Sequence, residues 1–329
     1  VKRLTALALA GGIVLAAVLV LTHGIGAIWH SSARVGWLGF GAIVAIHLGL
    51  VGLMGAAWWL LAPQRRVGWL GRFGWGRLIR DSTSETLPLS PIGGYVFGAR
   101  ALALSGVSGS FAAASTVVDV TVELVAQLGY TLLGLWLLDR LKPANTFGRP
   151  VLAGVAAMSL LVAVFVAVQA RGAGSIERFG ARLARQFLGR ELGGAGAVQM
   201  QMRALHGRPG VLGLAACVHF SAWVLAGVET WVTLGLMGTP LPLAAALTVD
   251  SLLYGMRSVA FVVPNAVGVQ EGGLMLLCGM FGIGPDVALA LSLIKRARDV
   301  AIGAPALLAW LGWEVGRARA AALGDAGAK

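Results

Sequence analysis

Apolar runs of about twenty residues, each long enough to cross a bilayer as a helix, recur along the whole of this 329-residue chain. Hydrophobic residues make up 57% of it and charged residues 12%, where soluble domains carry roughly 25% charged. That composition leaves nothing from which a soluble domain could build its own core. The reading is a single integral membrane domain over residues 1–329, an all-α polytopic membrane protein with about 7–8 full transmembrane helices. The first run follows Lys2 and Arg3, a flank like that of a signal peptide, but it is too long for one and is read as a retained span.

The net charge is +12, from 26 Lys and Arg against 14 Asp and Glu. The bases cluster between the apolar runs, as the positive-inside rule and attraction to anionic headgroups require. They do not interleave with aromatics in a solvated patch, so nucleic acid is not expected as a partner. Cys217 and Cys278 sit in apolar runs without a CxxC partner, which excludes a disulfide framework and a zinc site. His23, His30, His47, His206 and His219 show no metal-ligand spacing and are read as packing residues. No Walker loop, GxSxG elbow or HExxH pair is present, so neither a cofactor nor an enzymatic activity is expected.

Spans are predicted at Leu4–Ile28, Gly36–Leu61, Ser110–Leu138, Pro150–Ala170, Gly210–Met237 and Leu243–Val262, with a last long element at Asp286–Trp313. Residues 63–85 hold five arginines among tryptophans and read as a loop at headgroup depth. Residues 171–208 hold seven arginines. There Ile176, Phe179, Leu183 and Phe187 fall at near-helical spacing, which fits an amphipathic surface helix or a plain solvated linker.

Two stretches make poor straight spans. Thr86–Gly109 contains Pro88, Pro91, Gly93, Gly94 and Gly98 ahead of Arg100; Val262–Pro285 contains Pro264, Asn265 and Gly268 ahead of Gln270 and Glu271. Backbone broken at membrane depth is tolerated where it is buried in protein or lines a wet cavity, so both are read as broken or re-entrant segments. Laying Pro88 on Pro264, an offset of 176 residues, brings Gly106 onto Gly282, Val107 onto Ile283, and Ala112 and Ala114 onto Ala288 and Ala290. The chain is therefore read as weak repeat halves, 1–138 and 209–313, joined by the span at 150–170 and the basic linker at 171–208. Corresponding broken segments in two halves point to a transporter-type site near the midplane. The basic stretches place both termini in the cytoplasm if the second broken segment crosses.

Asp119, Glu123 and Gln127 share one helical face inside the third predicted span. A charge at the bilayer centre costs about 2.5–3.5 kcal/mol on insertion scales, and two acids so placed require cations. Six acids (Asp119, Glu123, Glu229, Asp250, Glu271, Asp299) and five bases (Arg100, Arg257, Lys295, Arg296, Arg298) are assigned to membrane depth. Asp250, Tyr254 and Arg257 form a further polar stripe. One reading makes these ion pairs that hold helices together. The other makes them a polar cavity for a lipid headgroup, in which Asp119, Glu123 and Glu271 pair with Arg298 and its neighbours.

At these residues the sequence resembles a known family. "LPLSPIGGYVFGARALALSGV" ahead of an acid-bearing helix, with "VPNAVGVQEGG" ahead of a helix bearing Arg and Asp, is similar to the lysylphosphatidylglycerol synthetase transmembrane domain, or flippase-like, family over nearly the whole chain. Members typically show Pro-Gly-x-x-Gly-x-x-Glu in the second segment; here Asn265 stands at the first glycine and Gly268 at the second, before Glu271. The family's acid followed by arginine in the first long helix is Asp119-Val120 here. The run "GARALALSGVSGSFAAASTVVDVTVELVAQ" resembles the branch associated with bacterial hopanoid biosynthesis. The resemblance implies a multi-pass inner-membrane protein that moves or presents a hopanoid or phospholipid, with lipid-biosynthetic or export proteins as partners. A non-transporting scaffold for such enzymes is the alternative. The family's aminoacyl-transferase activity belongs to a separate soluble domain, which a chain ending at Lys329 is expected to lack.

Overall fold

A computed structural model describes residues 25–86, 91–143, 194–260 and 263–327, with further helical positions at 153, 156, 159 and 160. The predicted span at 150–170, residues 171–193 of the basic stretch and Pro88 lie wholly or mainly outside the described residues, and the first predicted span is described only from residue 25. Among the described residues ten α-helices follow in order: α1 (Ile25–Ala33), α2 (Gly36–Leu60), α3 (Leu70–Thr86), α4 (Pro91–Leu104), α5 (Gly109–Leu141), α6 (Gly194–His206), α7 (Pro209–Leu236), α8 (Leu243–Val259), α9 (Val269–Gly279) and α10 (Pro285–Gly327). Single 3-10 turns at Val67–Trp69 and Pro264–Ala266 precede α3 and α9. No strand occurs among the described residues.

The boundaries follow local chemistry. Pro91, Pro209 and Pro285 each open a helix, where the missing N–H costs nothing and the fixed φ is already helical. α5 stops at Leu141, two residues before Pro143. Gly36, at φ 62, separates α1 from α2.

Among the described residues, three helices are long and apolar enough to cross a membrane: α2 with 25 residues, α5 with 33 and α7 with 28. They coincide with predicted spans to within three residues at each end. The predicted span at Leu243–Val262 is instead a 17-residue helix carrying Asp250 and Arg257. Trp37, Leu38 and Leu308 stand exposed on the outside of the bundle, as side chains facing lipid tails do.

The stretch 63–85 corrects the sequence reading. It is not a loop at headgroup depth. It folds into α3, which buries Phe73, Arg77, Ile79, Arg80 and Thr83 and lies between α2, α4 and α10. α3 and α4 form a tight antiparallel hairpin because glycine lets the two backbones touch. A Cβ on Gly98 would lie 2.7 Å from the Arg80 Cβ and 3.0 Å from the Gly76 carbonyl oxygen, and one on Gly94 would lie 2.6 Å from the Arg80 carbonyl oxygen. Lipid tails are as apolar as leucine, so close packing of this kind, not exclusion from water, holds membrane helices together. A Gly98→Val variant is expected to pry the hairpin apart and cost about 1–3 kcal/mol. Its lowered melting midpoint in detergent would show this; an unchanged midpoint would mean the hairpin has room to spare.

Two backbone features fall at the offset of 176 residues. The offset carries Gly109, the first residue of α5, onto Pro285, the first of α10, and Gly106 onto Gly282, both at positive φ of 93 and 80. Ala112, Ala114, Ala288 and Ala290 are all fully buried. In each half a short helix (α4, α9) turns through that glycine into a long, charge-bearing one (α5, α10).

Candidate functional site

Asp119 and Glu123 lie one turn apart on α5, both buried. Their cations come from α3, not from Arg298 and its neighbours as the sequence suggested. Arg77 reaches the Glu123 carboxylate with two nitrogens at 2.8 and 2.9 Å, and Asp81 with Nε at 2.7 Å. Arg80 donates to Asp119 at 2.8 Å and also to Glu123. Its guanidinium lies over the Tyr95 ring, 4.6 Å from the centroid. On α7, Nε2 of His219 meets Asp119 Oδ1 at 3.0 Å.

A second cluster gathers around α10. Arg298 pairs with Glu229 and, at 2.6 Å, with Asp299. His47 of α2 meets Glu229 at 2.8 Å. Asp250 accepts from Lys295 at 2.9 Å, Thr230 at 2.6 Å and Tyr130 at 3.2 Å. The two clusters have the same make-up: three carboxylates, two permanent cations and one imidazole. Asp81, Asp119 and Glu123 face Arg77, Arg80 and His219; Glu229, Asp250 and Asp299 face Lys295, Arg298 and His47. α7 contributes to both, through His219 and Glu229. Taking an ion out of water costs several kcal/mol, recovered only by close, multiply hydrogen-bonded pairing. These side chains meet that condition by spending their hydrogen bonds on one another.

Apart from the two clusters, the end of α3 is tied to α8 and to the second broken segment. Glu85, next to last in α3, takes Nη2 of Arg257 on both carboxylate oxygens at 2.8 and 3.0 Å. Asn265 donates its side-chain amide to the Glu85 carbonyl at 2.5 Å. Gln127 donates to the Tyr254 carbonyl at 3.2 Å and to the Ser258 hydroxyl, fastening α5 to the end of α8. The backbone here is strained: Asn265 and Ala266 stand at φ 54 and 46, followed by Gly268 at φ 82. The left-handed region costs roughly 1–2 kcal/mol for an ordinary L-residue, and asparagine is among the few that visit it. Asn265 thus takes the conformation of the glycine expected at its position, and its amide ties down the end of α3 as well. Beyond the turn, Glu271 accepts from the Gly268 N–H at 2.7 Å, from Ser292 at 2.7 Å and from Arg296 at 2.9 Å, while Gln270 donates to Ser292 at 2.9 Å.

The candidate residues therefore divide. Asp119, Glu123, Asp250, Arg298 and Asp299 belong to the two closed clusters. Gln127, Arg257, Asn265, Gly268, Gln270, Glu271 and Arg296 belong to the junction and the helix that leaves it. Gly94 packs beneath Arg80 and Ser84, and Gly93 precedes it in α4. Pro264 opens the 3-10 turn. Arg100 joins neither acid of α5; it pairs with Glu314 at 2.5 Å. Among the charged side chains, Glu85 keeps 34% of its side chain exposed, Arg100 31%, Asp81 24% and Arg296 23%, against 4% for Arg77, Arg80 and Arg298.

Sequence reasoning missed Arg77, Arg80 and Glu85, assigned to a loop, and His47 and His219, assigned to packing. One signal was present. Leu70–Thr86 contains no proline, and Phe73, Arg77 and Arg80 recur at helical spacing.

Comparison with protein families matches residues 5–306 to the lysylphosphatidylglycerol synthase TM region. The chain belongs to that family. The lysylphosphatidylglycerol synthase TM region is a membrane family associated with lipid handling, and the match spans every element that builds the two clusters and the junction, except the end of α10. Neither a search of curated proteins nor one of solved structures finds a match.

Proposed function

We propose that this protein is a lipid translocase of the bacterial inner membrane, which moves a hopanoid or a related amphiphile between leaflets without chemically changing it. The observation that carries this reading is the junction. The end of α3 and the second broken segment, from different parts of the chain, meet through Glu85, Arg257 and Asn265, on strained backbone, within a bundle of membrane helices. Strained φ/ψ persists where surrounding structure enforces it, and such positions gather at switches and ligand clamps. Broken helices inside a bundle are how transporters present backbone polar groups to cargo.

The test is movement of fluorescent lipids in proteoliposomes, alongside mass spectrometry of lipids that co-purify with the protein. Enrichment of a polycyclic terpenoid over the bulk membrane, with movement of a hopanoid analogue, is the expected result. Enrichment and movement of an anionic phospholipid would keep the translocase and change its cargo. A bulk-like profile with no movement would favour a scaffold for lipid-biosynthetic enzymes. Glu271→Gln keeps the shape but loses the charge that holds Arg296, and is expected to slow movement about tenfold, equivalent to about 1.4 kcal/mol in the barrier. Movement at the wild-type rate would remove Glu271 from the site.

A further inference from the structure

Six buried side-chain polar atoms have no hydrogen-bond partner among the described residues, and four of them lie on one helix–helix seam. They are Nε1 of Trp75, Oγ of Ser82 and Oγ1 of Thr86 on α3, and Nε1 of Trp310 on α10. Trp75, Ile79, Ser82 and Thr86 form one face of α3 by helical spacing, and Gly303, Ala306, Trp310 and Trp313 form the facing stripe of α10. The contacts confirm the match. Trp75 meets Trp313 at 6.5 Å between ring centroids, and Ile79 and Ala306 share a small core. A Cβ on Gly303 would lie 3.4 Å from the Thr86 Cβ and 3.5 Å from the Ser82 Cβ.

A buried donor without an acceptor is costly, and native structures keep few of them. Ser82 is only 5% exposed, so bulk solvent does not reach it in the closed seam. Four such atoms in a row on one seam mark a surface built for a partner absent from the closed state. Indole N–H groups can only donate and hydroxyls can do both, so the partner presents acceptor oxygens. From Trp75 to Thr86 the row rises about 16 Å at 1.5 Å per residue, roughly half of the ~30 Å hydrocarbon core. That is too long for one headgroup and suits a series of stations for a moving one. The backbone of α10 is also interrupted there, although Arg100 of α4 holds Glu314 beyond the interruption. Pro305 sits within α10 two residues after Gly303, and a proline removes the helical hydrogen bond one turn back.

We propose that the α3–α10 seam is the polar track for the headgroup of the moved lipid. α10 beyond Pro305 swings off the α3–α4 hairpin, and the acceptor oxygens of a phosphodiester or polyol pass along Thr86, Ser82, Trp310 and Trp75. This rests on the reading of the protein as a lipid translocase, but its first test does not need transport.

In a Cys217→Ser background, a Ser82→Cys variant in proteoliposomes is treated with a membrane-permeant maleimide, with the buried Cys278 as internal control. Residue 82 is expected to react at least about tenfold faster than Cys278. Raising the fraction of phosphatidylglycerol should slow it if the acceptor is a phosphodiester, and raising that of a hopanoid polyol if it is a polyol. Reaction as slow as that of Cys278, or insensitive to both lipids, overturns the proposal. The second test pairs Thr86→Cys with Gly303→Cys, whose Cβ separation is near the range of a disulfide. Oxidation is expected to slow lipid movement at least about tenfold, with recovery on reduction; equal rates in both states overturn the track. If residue 82 reacts quickly and lipid protects it, yet the wild-type protein moves no lipid, the seam stands as a lipid-binding site and the translocase reading falls.

Discussion

Arg80→Ala is expected to be among the most damaging single changes available in this chain. Arg80 is 3% exposed and serves two buried acids, Asp119 and Glu123. Removing one member of a buried ion pair costs about 3–5 kcal/mol, because the partner stays behind uncompensated. Here two carboxylates would share the remaining Arg77, which is already committed to Asp81. The loss approaches a large fraction of the 5–15 kcal/mol by which folded proteins are commonly stable, so the variant should fail to accumulate or elute as aggregate in size-exclusion chromatography. Arg80→Lys should do only partly better. An ammonium is a point charge and cannot fork between two carboxylates as a guanidinium does. Arg66→Ala, an exposed arginine just outside α3, is the control that should be silent. An Arg80→Ala protein that accumulates and melts as the wild type does would show that the α5 acids do not depend on α3.

The membrane class and the long helices were legible because they are set by local physics. Apolar runs of spanning length, proline at helix starts and glycine at the turns act within a few residues, and α2, α5 and α7 fall where those signals put them. The break at residues 264–268 was legible for the same reason, whereas Gly93, Gly94 and Gly98 of the first segment lie within the continuous helix α4. Partnership was not legible. Asp119 and Glu123 announced a need for cations, but nothing local tells which of several arginine-bearing segments folds against them. Arg77 and Arg80 sit in a stretch whose arginines and tryptophans are what a headgroup-depth loop would also show. The glycine contacts of Gly94 and Gly98 with Arg80, and the burial of Phe73, Ile79 and Thr83, reveal that this stretch packs inside the bundle. The histidines were hidden for a similar reason. A lone histidine in an apolar helix usually packs, and His47 and His219 become members of the clusters only through carboxylates 182 and 100 residues away in sequence.

Lys295 and Asp250 can separate charges that hold the bundle from charges that touch the cargo. Asp250 is fully buried and accepts from Lys295, Thr230 and Tyr130. Lys295→Met alone should cost about 3–5 kcal/mol, since hydroxyl donors do not neutralise a buried carboxylate. Joining Asp250→Asn to it removes the stranded charge, while the Asn carbonyl still accepts from Thr230 or Tyr130. Replacing both members of a buried pair by neutral groups of similar volume is often neutral or even stabilising, so the double variant should recover most of the lost thermal stability. Failure to recover would mean that the pair is embedded in obligate contacts with Glu229 and Arg298. The recovered protein then answers a second question. If it moves lipid at the wild-type rate, the cluster around α10 is architecture, and the polar path lies elsewhere. If it is stable but at least about tenfold slower, equivalent to about 1.4 kcal/mol in the barrier, the charge itself is used during movement. The geometry favours the first result: Lys295 and Asp250 are closed on each other at 2.9 Å, whereas the exposed ion pairs flank the junction and the end of α10.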